Sequence, residues 1–263
     1  MNTELKPDYG IDAPGVIRNL FLCGIAGLAL RGIVAAGLWS GVVVVPAGHG
    51  QAIRFQFGAT FLSVGLVCTA MGGWMLWTSL VGKIREREAL LDRITWRGTE
   101  RVLDVGCGRG LMLLGAAKRL TTGRATGIDI WQSEDLTRNR PEATLENARR
   151  EQVADRVEVL TMDMQALAFP DGTFDVIVSC NAIHNLYTAA GRAKAVGEVA
   201  RVLKPGGVVL IEDIRHQQDY ADQLAALGCG EARWIGSRIA AVFFRILTFG
   251  SLSPGAILVR KRA

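Results

Sequence analysis

The chain has 263 residues, 49% of them hydrophobic, and a formal net charge of +5. That surplus forms no basic stripe beyond the stretch after residue 82 and the Arg260-Lys261-Arg262 end, so no nucleic-acid partner is expected. Five cysteines (Cys23, Cys68, Cys107, Cys180 and Cys229) lie far apart with no C-x-x-C pair, which argues against a disulfide framework or a zinc site.

Met1 to Asp12 lacks the basic start of a secretory signal and reads as part of a tail over 1–15. Two uncharged stretches follow, Asn19 to Leu30 and Gly32 to Gly48, separated only by Arg31. They predict either one long helix from about Val16 to Val45, or an interfacial helix from Pro14 to about Leu28 and then a span. The second is favoured, because an arginine near a helix end can snorkel to the headgroups. Phe55 to Gly82 runs without a charge and holds Trp74 and Trp77 near its end. A bilayer span needs about 20 apolar residues, so 16–82 is expected to be a membrane anchor with helices at about 16–46 and 57–82. Pro46-Ala47-Gly48-His49-Gly50 predicts the turn of a hairpin.

The loop between the spans holds only Arg54, whereas Lys83, Arg85, Arg87, Arg93 and Arg97 follow the second. The excess of positive charge puts both ends of the hairpin on the cytoplasmic side, in a bacterial inner membrane. Small residues at four-residue spacing (Gly37/Gly41, Gly65/Thr69, Thr69/Gly73) suit packing within the hairpin or a homo-oligomer contact. Lys83 to Ile94 reads as a charged linker helix within 83–98. Its charges form a solvated face able to touch anionic lipid, and Leu90, Leu91 and Ile94 cover the domain that follows.

That domain, 99–263, opens on Val102-Leu103-Asp104-Val105-Gly106-Cys107-Gly108-Arg109-Gly110. An apolar strand ends in an acid and passes into three alternating glycines, which let a ligand lie against bare main chain. Leu111 to Leu120 should form the following helix, its free amides aimed at the turn. A dinucleotide site wants G-x-G-x-x-G, but the last position counted from Gly106 is Leu111. Further strands are expected at Arg124 to Ile130, Val157 to Thr161, Phe174 to Ser179 and Val208 to Ile211. Two more are expected at Arg233 to Ile235 and Ala256 to Val259.

This series, with its FDVIVS strand and downstream RVLKPGG, resembles the class I S-adenosylmethionine (SAM) methyltransferases over roughly Glu100 to Ala263. It is most similar to the branch containing the ubiquinone/menaquinone C-methyltransferases. The resemblance implies an α/β fold, a Rossmann-like, doubly wound, mostly parallel seven-stranded sheet, here preceded by a two-helix transmembrane hairpin. It implies SAM as cofactor, with Gly106, Cys107, Gly108 and Gly110 against its amino-acid portion and Asp104 ordering the turn. Asp129 would hold the ribose, Asp163 and the Met164 main chain the adenine, and Ile130 and Trp131 would flank the base. After the fourth strand, Asn181 is a candidate for cofactor or acceptor contact and His184 for the base. Both readings stand beside a purely structural one. No metal is required. The segment lacks the N-P-P-Y pattern of enzymes that methylate base amines in nucleic acids.

Ile239 to Leu247 is strongly apolar and either packs on the sheet or forms a lid whose Phe243, Phe244 and Phe249 line a path for a greasy acceptor. The expected function is methyl transfer from SAM to an apolar or membrane-associated small molecule. The alternatives are a soluble acceptor met by an enzyme merely localised at the membrane, and a non-catalytic SAM-binding sensor or scaffold.

Overall fold

Pro14, whose ring presets a helical φ, sits at the start of helix α1 (Pro14–Ala35). The computed structural model describes residues 6–48, 51–132, 136–236, 242, 244–246, 248 and 250–263. They fall into two units, one of residues 10–83 with 136–137, the other of residues 6–9, 84–132 and those from 138 on.

In the first unit α1 runs unbroken past Leu28 and carries Arg31 toward its C-terminal end. Both expected arrangements are corrected: there is no break near Leu28, and the helix stops well short of residue 45. Gly37 and Gly41 take φ of +72° and +68°, and the β-branched run that follows prefers extended backbone. It forms β1 (Val42–Gly48), paired antiparallel with β2 (Gln51–Gln56). The connection is therefore a β-ribbon rather than a bare turn. Helix α2 (Gly58–Trp77) continues through a π-turn, Thr78–Gly82, into α3 (Lys83–Leu91).

The two long helices meet along small residues. A side chain at Gly24 would collide with Thr69, and a Cβ at Gly27 would come within 2.9 Å of Gly65 N and Phe61 O. The Gly65/Thr69 spacing thus serves packing inside the pair, whereas Gly37 and Gly41 lie outside both helices. The outward faces are equally apolar: Leu22, Ile25, Leu66, Val67 and Trp74 are 55 to 64% exposed. Both helices are long and apolar enough to cross a membrane. Polar groups gather where α2 ends. Buried Ser79 accepts from Asp12 N (3.2 Å) and donates to Asp12 Oδ2 (3.1 Å), and Lys83 Nζ donates to Gly10 O (2.8 Å) and Asp12 Oδ1 (3.2 Å).

The second unit is a seven-stranded sheet with helices on both faces. In chain order its elements are β3 (Arg101–Val105), α4 (Leu111–Ala117), β4 (Arg124–Asp129), α5 (Pro141–Arg150), β5 (Val157–Thr161), β6 (Phe174–Cys180), α6 (Ala189–Val202), β7 (Leu203–Asp213), α7 (Gln217–Ala226), β8 (Arg233–Ile235) and β9 (Gly255–Arg260). The strand order is β5-β4-β3-β6-β7-β9-β8, parallel except that β9 runs antiparallel to both its neighbours. β7 starts at Leu203, taking Lys204-Pro205-Gly206-Gly207 into the strand as a register shift against β6. Alternate strand residues supply the two cores. Leu103, Ile177 and Val209 face α6 and α7, while Val102, Val176 and Leu210 share a cluster with Leu90, Leu91 and α4. Leu91 is fully enclosed, which stabilises by about 1.5–3 kcal/mol. One expected solvated charge is corrected: Arg87 of α3 is only 3% exposed, drawn inward by partners described below.

Candidate functional site

Strand order reverses between β3 and β6, since β4 follows on one side of β3 and β6 lies on the other. The loops beyond the carboxyl ends of these strands therefore frame a crevice, the usual ligand site of open α/β sheets.

The glycine turn lies there. Gly106, Gly108 and Gly110 have φ of +73°, +51° and +87°, a region that side chains disfavour. A Cβ on Gly106 would also collide with Ala182, and one on Gly110 would come within 2.9 Å of Thr144 Cγ2. Gly106 N and Cys107 N both donate to Ile128 O at 2.9 Å, locking the turn to β4. Asp104 is 1% exposed; its Oδ2 accepts from Leu113 N (2.8 Å) and fixes the first turn of α4, while Oδ1 has no partner among the described residues. Burial pushes its carboxyl up to about 8, the Leu113 amide opposing and the Asp129 charge adding to it. Cys107 is buried too, and burial raises its thiol well above the ordinary range, as an inert packing cysteine requires.

Asp129, the last residue of β4, accepts from Gly108 N at Oδ2 (2.8 Å) and from Trp131 N at Oδ1 (2.6 Å). Asn139 Nδ2 adds a longer bond to Oδ1 (3.3 Å). A carboxylate offers about four lone-pair positions, so these three bonds orient the group and leave one position, on Oδ2, for a ligand hydroxyl. Ile130 is 48% exposed beside it. Trp131 takes φ +63° and donates from Nε1 to Thr161 Oγ1 (2.7 Å), bringing the indole across the end of β5. Asp163 caps its own turn by accepting from Gln165 N (2.8 Å). Met164 Cε lies 3.5 Å from where a Gly106 Cβ would stand, so the turn and the loop after β5 share one wall.

Asn181, at the end of β6, is exposed with φ +50°, and its N donates to Glu212 O (2.9 Å). His184 stands in a short helical turn, Ile183–Asn185. Its Nδ1 lies 2.5 Å from Asp213 Oδ1, off the line of a hydrogen bond, and its amide donates to Asp213 Oδ2 (3.1 Å). Beside it, Cys180 Sγ donates to Glu212 Oε2 (3.1 Å); desolvation and the nearby Glu86 charge push Glu212 up to about 8. Among the expected lid residues Phe243 and Phe249 lie outside the described residues, and Phe244 is in a helical stretch.

The structure thus gathers Asp104, Gly106, Gly108, Gly110, Asp129, Ile130 and Trp131 around one turn, with Asn181 and His184 at the neighbouring strand end. Sequence reading missed Asp213, Thr144 and Asn147. Thr144 Oγ1 donates to Gly108 O (2.6 Å) and Asn147 Nδ2 to Arg109 O (3.0 Å). Their one signal was two small polar residues three apart on a single face of α5.

The turn fits SAM on its own terms: a main-chain cradle that a Cβ would fill, followed by an oriented carboxylate. Residues 103–211 match a family described as "Methyltransferase domain". The chain is 33% identical over 122 residues to a probable methyltransferase, ltbC, of Aspergillus luteorubrus, covering 46% of this chain and 42% of that protein. It is 32% identical over 140 residues to the ubiquinone/menaquinone biosynthesis C-methyltransferase UbiE of Roseobacter denitrificans, covering 53% and 52%. The chain thus spans about half the length of these curated relatives. Its fold is similar over about two thirds of the chain to that of a geranyl diphosphate C-methyltransferase from Streptomyces coelicolor, solved with S-adenosyl-L-homocysteine. That match has a TM-score of 0.53 at 16% identity and covers 67% of this chain and 78% of the other.

Proposed function

We propose that this chain, whose residues 103–211 match a methyltransferase-domain family, transfers a methyl group from SAM to an apolar or lipid-like small molecule. When bound, SAM supplies the electrophilic methyl carbon, so the protein needs no nucleophile or metal of its own. Its task is alignment and exclusion of water. The observation that carries this reading is the Gly108–Asp129 bond, which joins the bare turn to an oriented carboxylate that keeps a position for a ribose hydroxyl. Gly106 to Gly110 hold the amino-acid portion, Asp129 the ribose, and Asp163, Met164, Ile130 and Trp131 the base. In calorimetry the full-length protein binds SAM and Asp129→Ala does not; unchanged binding by that variant removes the assignment.

His184 is the base where the acceptor carries a proton. Asp213 against Nδ1 favours the tautomer with its proton there and leaves Nε2 to accept. Asn181 orients the acceptor. His184→Gln is expected to lower kcat roughly a hundredfold with the affinity for SAM retained; full activity in that variant assigns the histidine to loop structure.

The two long helices form a membrane hairpin. Their lengths of 22 and 20 residues correspond to about 33 and 30 Å, the thickness of a hydrocarbon core. Aromatic clusters bracket them: Trp39, Phe55, Phe57 and Phe61 at one end, Trp74 against Trp77 (5.4 Å between rings) at the other. Such belts suit the two membrane–water interfaces. The hairpin supports an acceptor dissolved in the bilayer, as do a relative named for ubiquinone and menaquinone biosynthesis and a structural neighbour named for geranyl diphosphate. Both ends of the hairpin face the cytoplasm, and a reporter fused after Ala263 is active there; a periplasmic signal reverses the topology.

A further inference from the structure

The first described residues are held on the domain by bonds that reach the glycine turn. We propose that Asp8 and Tyr9 form a strap that positions this turn for SAM, making the segment just ahead of α1 part of the cofactor site. The inference rests on the reading of the turn as that site.

A turn of alternating glycines is entropically loose, so its geometry depends on ties from outside. The inner tie is Gly108 N to Asp129. The outer ties run through α5 and the strap. Asn147, 1% exposed, accepts from Asp8 N (2.9 Å) and donates from Nδ2 to Asp8 O (2.8 Å) and Arg109 O (3.0 Å). One side-chain amide therefore grips the backbones of strap and turn together. Arg109, the residue between the last two glycines, is 8% exposed and donates from Nη2 to Asp8 Oδ2 (2.8 Å). A guanidinium so enclosed needs its carboxylate partner, since a buried cation stripped of one is costly.

Tyr9 anchors the strap. It is 5% exposed within the cluster shared by α3 and α4. Its hydroxyl donates to Glu151 Oε1 (2.7 Å) and accepts from Arg87 Nη1 (2.9 Å), and the Arg87 guanidinium lies 5.4 Å from the ring centre. Arg87 belongs to the helix that continues α2. The chain just before α1 and the chain just after α2 are thus stapled to each other at Tyr9, one residue from the contact with Arg109. A tail that served only to pass from terminus to helix would need neither the buried tyrosine nor the ion pair.

The test is SAM binding to the full-length protein in detergent, by calorimetry, with melting of the SAM-free form measured alongside. Asp8→Asn is expected to weaken SAM binding about tenfold, the worth of a hydrogen bond to a charged group. Asp8→Glu restores most of that loss, and Tyr9→Phe, which removes only the hydroxyl, gives a smaller one. Melting of the SAM-free Asp8→Asn protein falls by several degrees, because Arg109 loses its carboxylate, and Asp8→Glu restores it together with the affinity. Coupling is reciprocal, so SAM slows amide hydrogen exchange over residues 8–12 of the wild-type protein. The proposal is overturned where Asp8→Asn and Tyr9→Phe bind SAM as wild type does while Asp129→Ala has lost it. It is equally overturned where affinity and melting fall together and Asp8→Glu rescues neither. SAM affinity preserved in Asp129→Ala instead defeats the reading of the site on which the strap depends.

Discussion

The helix hairpin and the sheet domain are built from the same apolar residues put to opposite use. In the domain the central strands are buried on both faces, with Leu103, Ile177 and Val209 fully enclosed. In the hairpin, apart from Ile17, the enclosed helix positions are glycines and most large side chains face outward: Gly24, Gly27 and Gly65 are buried while Leu66 and Val67 are more than half exposed. A water-soluble helix pair would invert that arrangement, because in water burying apolar area is what holds helices together. Contact through small residues with leucines outside is what the proposed bilayer setting predicts, because close backbone approach there replaces hydrophobic driving force.

The contrast can be broken at several points. The largest effect belongs to Gly106→Val, whose side chain collides with Ala182 at a positive φ. It is expected to weaken SAM binding at least about a hundredfold, from strain combined with loss of the cradle, as read by calorimetry; near-normal affinity would show that the ligand lies elsewhere. Next, Leu66→Arg and Leu227→Arg place the same charge on residues that are 55% and 44% exposed. In lipid the first costs about 2.5–3.5 kcal/mol, whereas a surface change on the domain costs within about 0.5 kcal/mol. Membrane-fraction yield and melting should therefore fall for Leu66→Arg alone, and equal tolerance of both places the hairpin in water.

A further effect is a pH dependence spread over several pH units. Burial raises Asp104 to about 8 from about 3.9 in an unfolded chain. Folding therefore takes up a proton between those values. The stability from this neutral carboxyl is complete below about pH 4 and is lost as pH rises through about 8. Asp104→Asn stays neutral, so in denaturant unfolding it gains on wild type by on the order of 1 kcal/mol per pH unit across that window. Parallel stability profiles for the two proteins mean that Asp104 is ionised in the fold.

Legibility in the sequence followed how local the signal was. The strand–acid–glycine turn, the acid closing β4 and all seven strands could be read because each depends on a few neighbouring residues of fixed period. Boundaries slipped where two local preferences competed. The uncharged run after Arg31 looks helical by hydropathy, yet Gly37, Gly41 and four consecutive valines turn it into β1. The strap could not be read at all. Asp8 and Tyr9 meet Arg109, Asn147 and Glu151 across more than 100 residues of chain, and neither residue belongs to a motif. Asp213 is intermediate: an acid ending a strand is visible, but its approach to His184 depends on β6 and β7 being neighbours in the sheet.

The most direct test is transfer of label from methyl-tritiated SAM by the full-length protein in liposomes made from host lipid extract, followed by separation into organic and aqueous phases. Label in the organic phase, absent with Asp129→Ala, is the predicted result. Label confined to the aqueous phase, or transfer undiminished in that variant, would contradict an apolar acceptor or the proposed cofactor site respectively.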